Sequence, residues 1–231
     1  MNVRRLDHIA LYMNDRDAAA EFLTTHLGFH VVNHTERYTL VGAGGRLGKL
    51  TLFDAPQGTT PSPGKIARIT IRVADPEAAA ARLPCAAGAE PSDSGYSFTG
   101  PEGLPLALIP GEEEFADYDL GGFVLRSGAP EESARTFVEM GFAPGDDTTT
   151  VRAGDYLISL TGSAPDENGA GMLFHVGCLV DSAEVHRREA EEQGLVVQDF
   201  VDGPNTLAVF VRGPEDVSVE YVEHKPTFSL T

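Results

Sequence analysis

Short runs of apolar residues recur along the chain and predict the first strand of a repeated unit. Each run is rich in β-branched and other strand-forming residues and is bounded by polar or glycine-containing segments. The four runs span Leu6–Met13, Ile66–Val73, Leu120–Ser127 and Leu173–Val180. Their similar character and regular spacing indicate internal repetition, which must be settled before any single motif is interpreted.

Each of these runs leads into a segment that is typical of a helix start. Asp, Ser or Asn can cap the first turn, and acidic side chains favour the positive end of the helix dipole. A helix of roughly 10 residues is expected to follow in every unit, from the helical spacing of its apolar residues. The expected ends are Gly28, Gly88, Gly141 and Gly194, because glycine readily adopts the left-handed conformation that follows a helix.

Two or three further strand-like runs complete each unit, such as Tyr38–Val41 and Lys49–Phe53 in the first. The second and fourth units share a Gly-Pro-Glu turn before their last strand, at residues 100–102 and 213–215. The pattern therefore predicts an α+β protein made of four βαβββ modules, with linkers rich in Pro, Gly and acidic residues. The predicted modules cover residues 1–55, 66–110, 119–162 and 172–231.

Composition and charge narrow the classes of function. The 231 residues are 42% hydrophobic, which is too apolar for a disordered chain. The 17 Lys and Arg against 35 Asp and Glu give a net charge of −18, so we expect no binding to nucleic acid or to an anionic membrane surface. No run is long and apolar enough to span a bilayer, and we expect a soluble, cytoplasmic protein.

Three motifs carry a resemblance to a known superfamily. They are LDHIAL at residues 6–11, LGF at the end of the first helix and GPEDVSVEYVE at residues 213–223. With four βαβββ units, the chain resembles the vicinal oxygen chelate proteins, which include glyoxalase I, extradiol dioxygenases, fosfomycin-resistance enzymes and bleomycin-binding proteins. The resemblance implies that paired modules enclose a cavity and that metal ligands come from the first and last strands of the modules.

Alignment of the four modules at those strands shows where ligands can come from. The first strands align His8, Arg68, Gly122 and His175, and the last strands align Thr51, Ala107, Ser159 and Glu220. Modules 1 and 4 thus supply two histidines and a carboxylate, whereas modules 2 and 3 supply no plausible ligand set. One cavity holds all three ligands only if module 1 pairs with module 4 and module 2 with module 3, within one chain or across a subunit swap.

The predicted ligand set of His8, His175 and Glu220 suits a divalent metal with open positions for substrate. Two histidines and one carboxylate on one face favour Fe(II), although Mn, Ni, Co or Zn could also be held. His224 lies four residues after Glu220 on the same strand face and is a candidate acid/base, or an exposed strand end. Tyr38 is a second candidate helper, or a packing residue.

The resemblance leaves three classes of function open. The first is an extradiol-dioxygenase-like oxidoreductase that uses O2 on a small, oxygen-chelating substrate, which can be aromatic. The chain departs from that branch because Phe210 stands where it has a tyrosine, and Thr51 and Lys49 occur where it has a histidine. The others are a non-redox lyase, isomerase or transferase and a bleomycin-resistance-like binding protein. The sequence also allows a homodimer.

Overall fold

The computed structural model describes residues 1–43, 48–111, 118–164 and 170–228. Each of the four repeated units contains a first strand, a helix and three further strands. In module 1 these are β1 (Arg5–Met13), α1 (Arg16–His26), β2 (Phe29–His34), β3 (Tyr38–Ala43) and β4 (Lys49–Asp54), followed by the short β5 (Pro61–Ser62). In module 2 they are β6 (Ile66–Val73), α2 (Pro76–Ala80), β7 (Glu90–Ser92), β8 (Gly95–Thr99) and β9 (Pro105–Pro110).

The second half repeats this order. In module 3 the elements are β10 (Tyr118–Arg126), α3 (Pro130–Glu139), β11 (Ala143–Pro144), β12 (Thr150–Ala153) and β13 (Tyr156–Thr161), followed by the short β14 (Ala170–Gly171). In module 4 they are β15 (Leu173–Leu179), α4 (Ala183–Glu192), β16 (Val197–Asp202), β17 (Thr206–Arg212) and β18 (Ser218–His224). Short 3-10 helices lie at Cys85–Ala87, Pro101–Gly103 and Pro214–Asp216.

Two eight-stranded mixed sheets form the body of the protein. One has the order β16-β17-β18-β15-β1-β4-β3-β2, and the other has the order β11-β12-β13-β10-β6-β9-β8-β7. In each, the two first strands pair antiparallel at the centre, β1 with β15 and β10 with β6. The predicted α+β class and the pairing of module 1 with 4 and module 2 with 3 are therefore confirmed.

The helix ends follow local sequence chemistry. The side chains of Asp15, Asp75 and Ser182 each accept a hydrogen bond from a backbone N–H of the first turn of their helix. All four predicted glycines have positive φ, between 60° and 97°. The expectation of about 10 residues is wrong for α2, which has five residues. Pro84 follows closely and disfavours a helical conformation at the residue before it.

The two Gly-Pro-Glu turns clasp the two sheets together. Glu102 of module 2 accepts hydrogen bonds from the backbone N–H groups of Asn14 and Asp15, both at 2.8 Å, at the start of α1 in the other sheet. Glu215 of module 4 makes the equivalent contact at the start of α3. Both glutamates adopt a φ of 55°, so each turn holds strained backbone to aim its carboxylate at the partner module.

Among the described residues, no helix is long and apolar enough to cross a membrane. Each helix packs against strands of its own module, and one continuous hydrophobic core joins residues of all four modules. This core holds the central strands in fixed register.

The clasp predicts a measurable contribution of Glu215 to stability. Its Oε1 accepts hydrogen bonds from the Ser127 hydroxyl at 2.6 Å, the Ser133 hydroxyl at 3.2 Å and the Gly128 N–H at 3.2 Å. Glu215→Ala keeps the left-handed backbone but removes the carboxylate. We expect the free energy of unfolding measured in urea to fall by about 2 kcal/mol. The exposed Glu139 is the control: Glu139→Ala should change stability by under about 0.5 kcal/mol, and equal effects would contradict the clasp.

Candidate metal centre

Three adjacent strands at the centre of the first sheet bring the predicted ligands together. His8 lies on β1, His175 on β15 and Glu220 on β18, and these strands are neighbours in the sheet. The distance between His8 Nε2 and His175 Nε2 is 3.0 Å, and Glu220 Oε2 lies 3.1 Å from the first and 3.3 Å from the second. These side chains are the group of potential metal ligands found among the described residues.

Gly177 makes room for this convergence and was not singled out from the sequence. It is the register partner of both His8 on β1 and Glu220 on β18. A Cβ atom at residue 177 would lie 2.3 Å from Cε1 of the His8 ring, so no other residue fits without moving the imidazole. A glycine inside an apolar strand signals such a close approach.

A β-bulge turns a second charged residue toward the site. The β1–β15 register shifts between Leu6 and His8, which leaves Asp7 as the extra residue of the bulge. Asp7 Oδ2 therefore reaches His8 Nδ1 at 2.9 Å, although strict alternation would place adjacent side chains on opposite faces. The sequence analysis missed Asp7 for that reason.

The Asp7 carboxylate is buried and bound by three positively polarised groups. Besides His8, it accepts from Lys49 Nζ at 2.8 Å and lies 3.3 Å from His224 Nε2. Burial raises the pKa of Asp7, but the bonds from His224 and His8 and the charge of Lys49 outweigh it and hold the pKa well below its ordinary value. Asp7 is thus an anion that orients its neighbours rather than a base.

The protonation states of the three candidate ligands follow from their surroundings. Burial lowers the pKa of His8, but its contacts with Asp7 and Glu220 raise the value to about 9. Burial raises the pKa of Glu220, and the two imidazoles lower it to about 2. Burial lowers the pKa of His175, and the adjacent charge of His8 acts in the same direction.

The donor atoms fit a metal ion better than they fit one another. The bond from His8 Nδ1 to Asp7 assigns the proton to Nδ1 and turns the Nε2 lone pair toward His175 and Glu220 in the neutral ring. Buried Glu220 Oε2 has no hydrogen bond of acceptable geometry, despite its short distances to both imidazoles. Nitrogen and oxygen donors bound at about 2.1 Å to adjacent positions of one ion lie roughly 3 Å apart, which agrees with the observed spacings.

An aromatic wall stands beside His175. Phe174, Phe210 and Phe53 have ring centroids 4.6, 5.3 and 6.1 Å from the imidazole centroid, and Tyr12 stacks on Phe174 at 4.5 Å. A second register shift in the β1–β15 pairing leaves Phe174 as an extra residue next to His175. Phe174 is 36% exposed, so the wall is open to solvent on that side.

The two predicted helper residues lie around the site rather than within the three-ligand group. His224 touches Asp7 and stacks on Phe228 with ring centroids 3.6 Å apart. Tyr38 contacts Phe53 at a centroid distance of 5.8 Å, and its hydroxyl accepts from Asn33 Nδ2 at 3.3 Å. Thr51, which aligns with Glu220, is buried and supplies no ionisable group.

The architecture and this donor group together define a paired-module protein with the elements of a metal centre. A family model described as the Glyoxalase/Bleomycin resistance protein/Dioxygenase superfamily matches residues 5–107, which cover modules 1 and 2. The first two modules are therefore similar to this superfamily, also known as vicinal oxygen chelate proteins. Its members generally bind a divalent metal and small-molecule substrates, and they include many enzymes and many dimers.

Solved structures share the fold over nearly the whole chain. A Bacillus subtilis protein assigned provisionally as a dioxygenase has a TM-score of 0.75 at 17% identity, over 97% of this chain and 86% of its own. A glyoxalase I variant from Zea mays has a TM-score of 0.71 at 19% identity, over 95% and 92% of the two chains. The CppA protein of Streptococcus pneumoniae has a TM-score of 0.61 at 16% identity, over 96% and 100%. No curated protein matches the sequence significantly.

The raised pKa of His8 predicts a pH-dependent stability of the metal-free protein. A folded pKa of about 9 against 6.5 in the unfolded chain means that charged His8 stabilises the fold fully below pH 6.5. This contribution is lost as the pH rises toward 9 and amounts to about 3 kcal/mol at most. With a chelator present, the free energy of unfolding measured in urea should fall between pH 6.5 and 9 in the wild type but not in His8→Gln.

The exposed His30 provides the control for this measurement. His30→Gln should retain the wild-type dependence on pH, because its side chain lies outside the buried group. The raised pKa of His8 would be contradicted by two results together. NMR would show the His8 imidazole titrating at its ordinary pKa, and the free energy of unfolding would fall with pH equally in the wild type, His8→Gln and His30→Gln.

Proposed function

We propose that the chain is a metal-dependent enzyme in which His8, His175 and Glu220 bind one divalent ion. The observation that carries this proposal is the mutual distance of 3.0–3.3 Å between their three donor atoms, with the His8 proton directed away toward Asp7. Among the described residues, Lys49 and Asp7 form an ion pair beside this group, so the negative charge that attracts a cation is that of Glu220 once His8 gives up its extra proton.

Fe(II) is the metal that this donor set favours. Two imidazoles and one carboxylate leave several coordination positions open, which is the arrangement of non-haem iron oxygenases. When bound, Fe(II) would hold a chelating substrate and O2 side by side and allow electrons to pass between them. We therefore propose an extradiol-dioxygenase-like oxidoreductase.

The surroundings favour a small aromatic substrate with adjacent oxygen atoms. Phe174, Phe210 and Phe53 offer ring faces and edges beside His175, and such contacts suit a planar aromatic ring. The exposed edge of Phe174 provides the side from which a substrate enters. The chain's own contribution is to bind and orient this ring and to exclude water from the ligand group.

Proton transfer falls to His224 in this proposal. Its Nε2 lies 3.3 Å from the Asp7 carboxylate, which fixes the orientation of the imidazole. A histidine held in this way can take a proton from a substrate hydroxyl and return it later. Tyr38, whose ring contacts Phe53, is proposed only as a substrate-contacting residue.

The alternatives differ from this proposal in what they require. A glyoxalase-like isomerase needs a fourth side chain to act as a base, but Thr51 stands at that position and Asp7 is already bound by three partners. A transferase of the fosfomycin-resistance type would consume no O2, and a binding protein would show no turnover at all. Metal content and O2 uptake therefore separate the three classes.

Metal binding gives the first test. We expect protein purified without chelator to bind about one Fe(II) per chain, and Glu220→Gln to weaken the affinity at least about 100-fold because a charged ligand is lost. Glu139→Gln, which alters an exposed glutamate, is the matched control and should bind normally. Unchanged binding by Glu220→Gln and His175→Ala would reject this site.

Oxygen consumption gives the second test. Fe(II)-loaded protein should take up O2 in the presence of catechols but not of monophenols, because only adjacent hydroxyls can chelate the ion. His224→Gln should lower kcat about 100-fold or more while metal content stays unchanged. Turnover of a substrate without O2 would favour the transferase, and stoichiometric binding without turnover would favour the binding protein.

A further inference from the structure

The second sheet carries an open cavity of its own, separate from the candidate metal centre, which lies on the first sheet. It has a volume of about 360 Å³, within the range of small-molecule sites, and lies between modules 2 and 3. Arg68 from β6 and Arg126 from β10 line it together with the apolar side chains of Phe98 and Leu106. The cavity thus combines two cations with an apolar wall.

Arg68 occupies the position that His8 and His175 hold in the first sheet. It is the register partner of Val124, and Arg126 follows two residues later on the same strand face as Val124. Both arginines therefore project from the central strand pair into the cavity, where the other sheet presents its metal-ligand group. The second sheet therefore has a concave polar site like that of the first sheet. Its polar groups are hydrogen-bond-donating cations, whereas those of the first sheet are potential metal ligands.

Among the described residues, no carboxylate neutralises the charge of the Arg68 side chain. Its Nε atom is buried without a hydrogen-bond partner, and within the described residues no carboxylate oxygen lies close enough to Arg68 or Arg126 for an ion pair. By contrast, Arg72 on the same strand pairs with Asp119 at 3.5 Å and donates to the carbonyl of Asp155 at 2.6 Å. A partly buried guanidinium without a partner is costly unless a ligand completes its bonds.

We propose that this cavity binds a small organic carboxylate. The planar, five-donor guanidinium matches a carboxylate through paired hydrogen bonds. The hydroxyls of Ser97, Thr161 and Ser163 also line the cavity and can donate to the same oxygens. Phe98 and Leu106 would contact the apolar body of the ligand, which favours a carboxylate with a ring or short hydrocarbon over inorganic phosphate.

The negative net charge of the protein makes an anion-binding site at this cavity a specific local feature. At a net charge of −18 the surface as a whole repels anions, so a saturable anion site requires a local cluster of cations. The proposal does not depend on the metal centre, because the two cavities belong to different sheets.

Calorimetric titration of the full chain with benzoate tests this proposal, with benzyl alcohol and inorganic phosphate as comparisons. We expect saturable binding of benzoate at one site, with benzyl alcohol and phosphate each at least about tenfold weaker. Arg68→Met and Arg126→Met should each weaken benzoate binding at least about tenfold, while Arg68→Lys should recover part of it. The exposed Arg135 of α3 is the control, and Arg135→Met should bind as the wild type does.

His175→Ala separates this cavity from the candidate metal centre and should bind benzoate normally. Loss of benzoate binding in His175→Ala, with retention in Arg68→Met and Arg126→Met, would place the ligand at the other sheet and overturn the proposal. No saturable benzoate binding, or tighter binding of phosphate, would overturn it as well. The two arginine variants check each other, and each is interpreted only if its unfolding midpoint is no lower than that of the wild type.

Discussion

The antiparallel pairing of β1 with β15 is the constraint on which the rest of the structure depends. These strands come from opposite ends of the chain, and their register partners run from Arg5 with Leu179 to Leu11 with Leu173. The pairing places His8 beside Gly177 and brings β18, with Glu220, to the next position in the sheet. A side-chain group contributed by the first and last modules therefore exists only because this long-range contact forms.

The buried charges at this contact stabilise the fold only as a set. Desolvation disfavours every ion in the group, and the opposite charge of Asp7 against Lys49 and His8 compensates for it. The same bonds leave the Nε2 atoms of His8 and His175 and Glu220 Oε2 facing one another at 3.0–3.3 Å, with Glu220 Oε2 lacking a hydrogen-bond partner. A divalent cation would replace the extra proton on His8 and complete the group, so metal binding and stability should be coupled.

Much of the fold and part of the site could be predicted because they depend on repeated local patterns. The strand runs, helix caps and terminal glycines repeat four times, and the asymmetric distribution of histidine and glutamate over the modules indicated which ends must meet. Asp7 and Gly177 could not be identified in this way. The role of Asp7 depends on a β-bulge that breaks the alternation, and that of Gly177 depends on a ring packed over it from another strand. The short α2 shows the same limit, since Pro84 overrides its helical spacing.

The most direct test of the central claim is the position of a metal ion in the protein itself. Crystals grown anaerobically with Fe(II) and measured on both sides of the iron absorption edge locate iron by its anomalous signal. The account predicts one strong peak about 2.0–2.3 Å from His8 Nε2, His175 Nε2 and a carboxylate oxygen of Glu220. An iron peak elsewhere, or a well-ordered His8, His175 and Glu220 with no peak between them at saturating Fe(II), would contradict it.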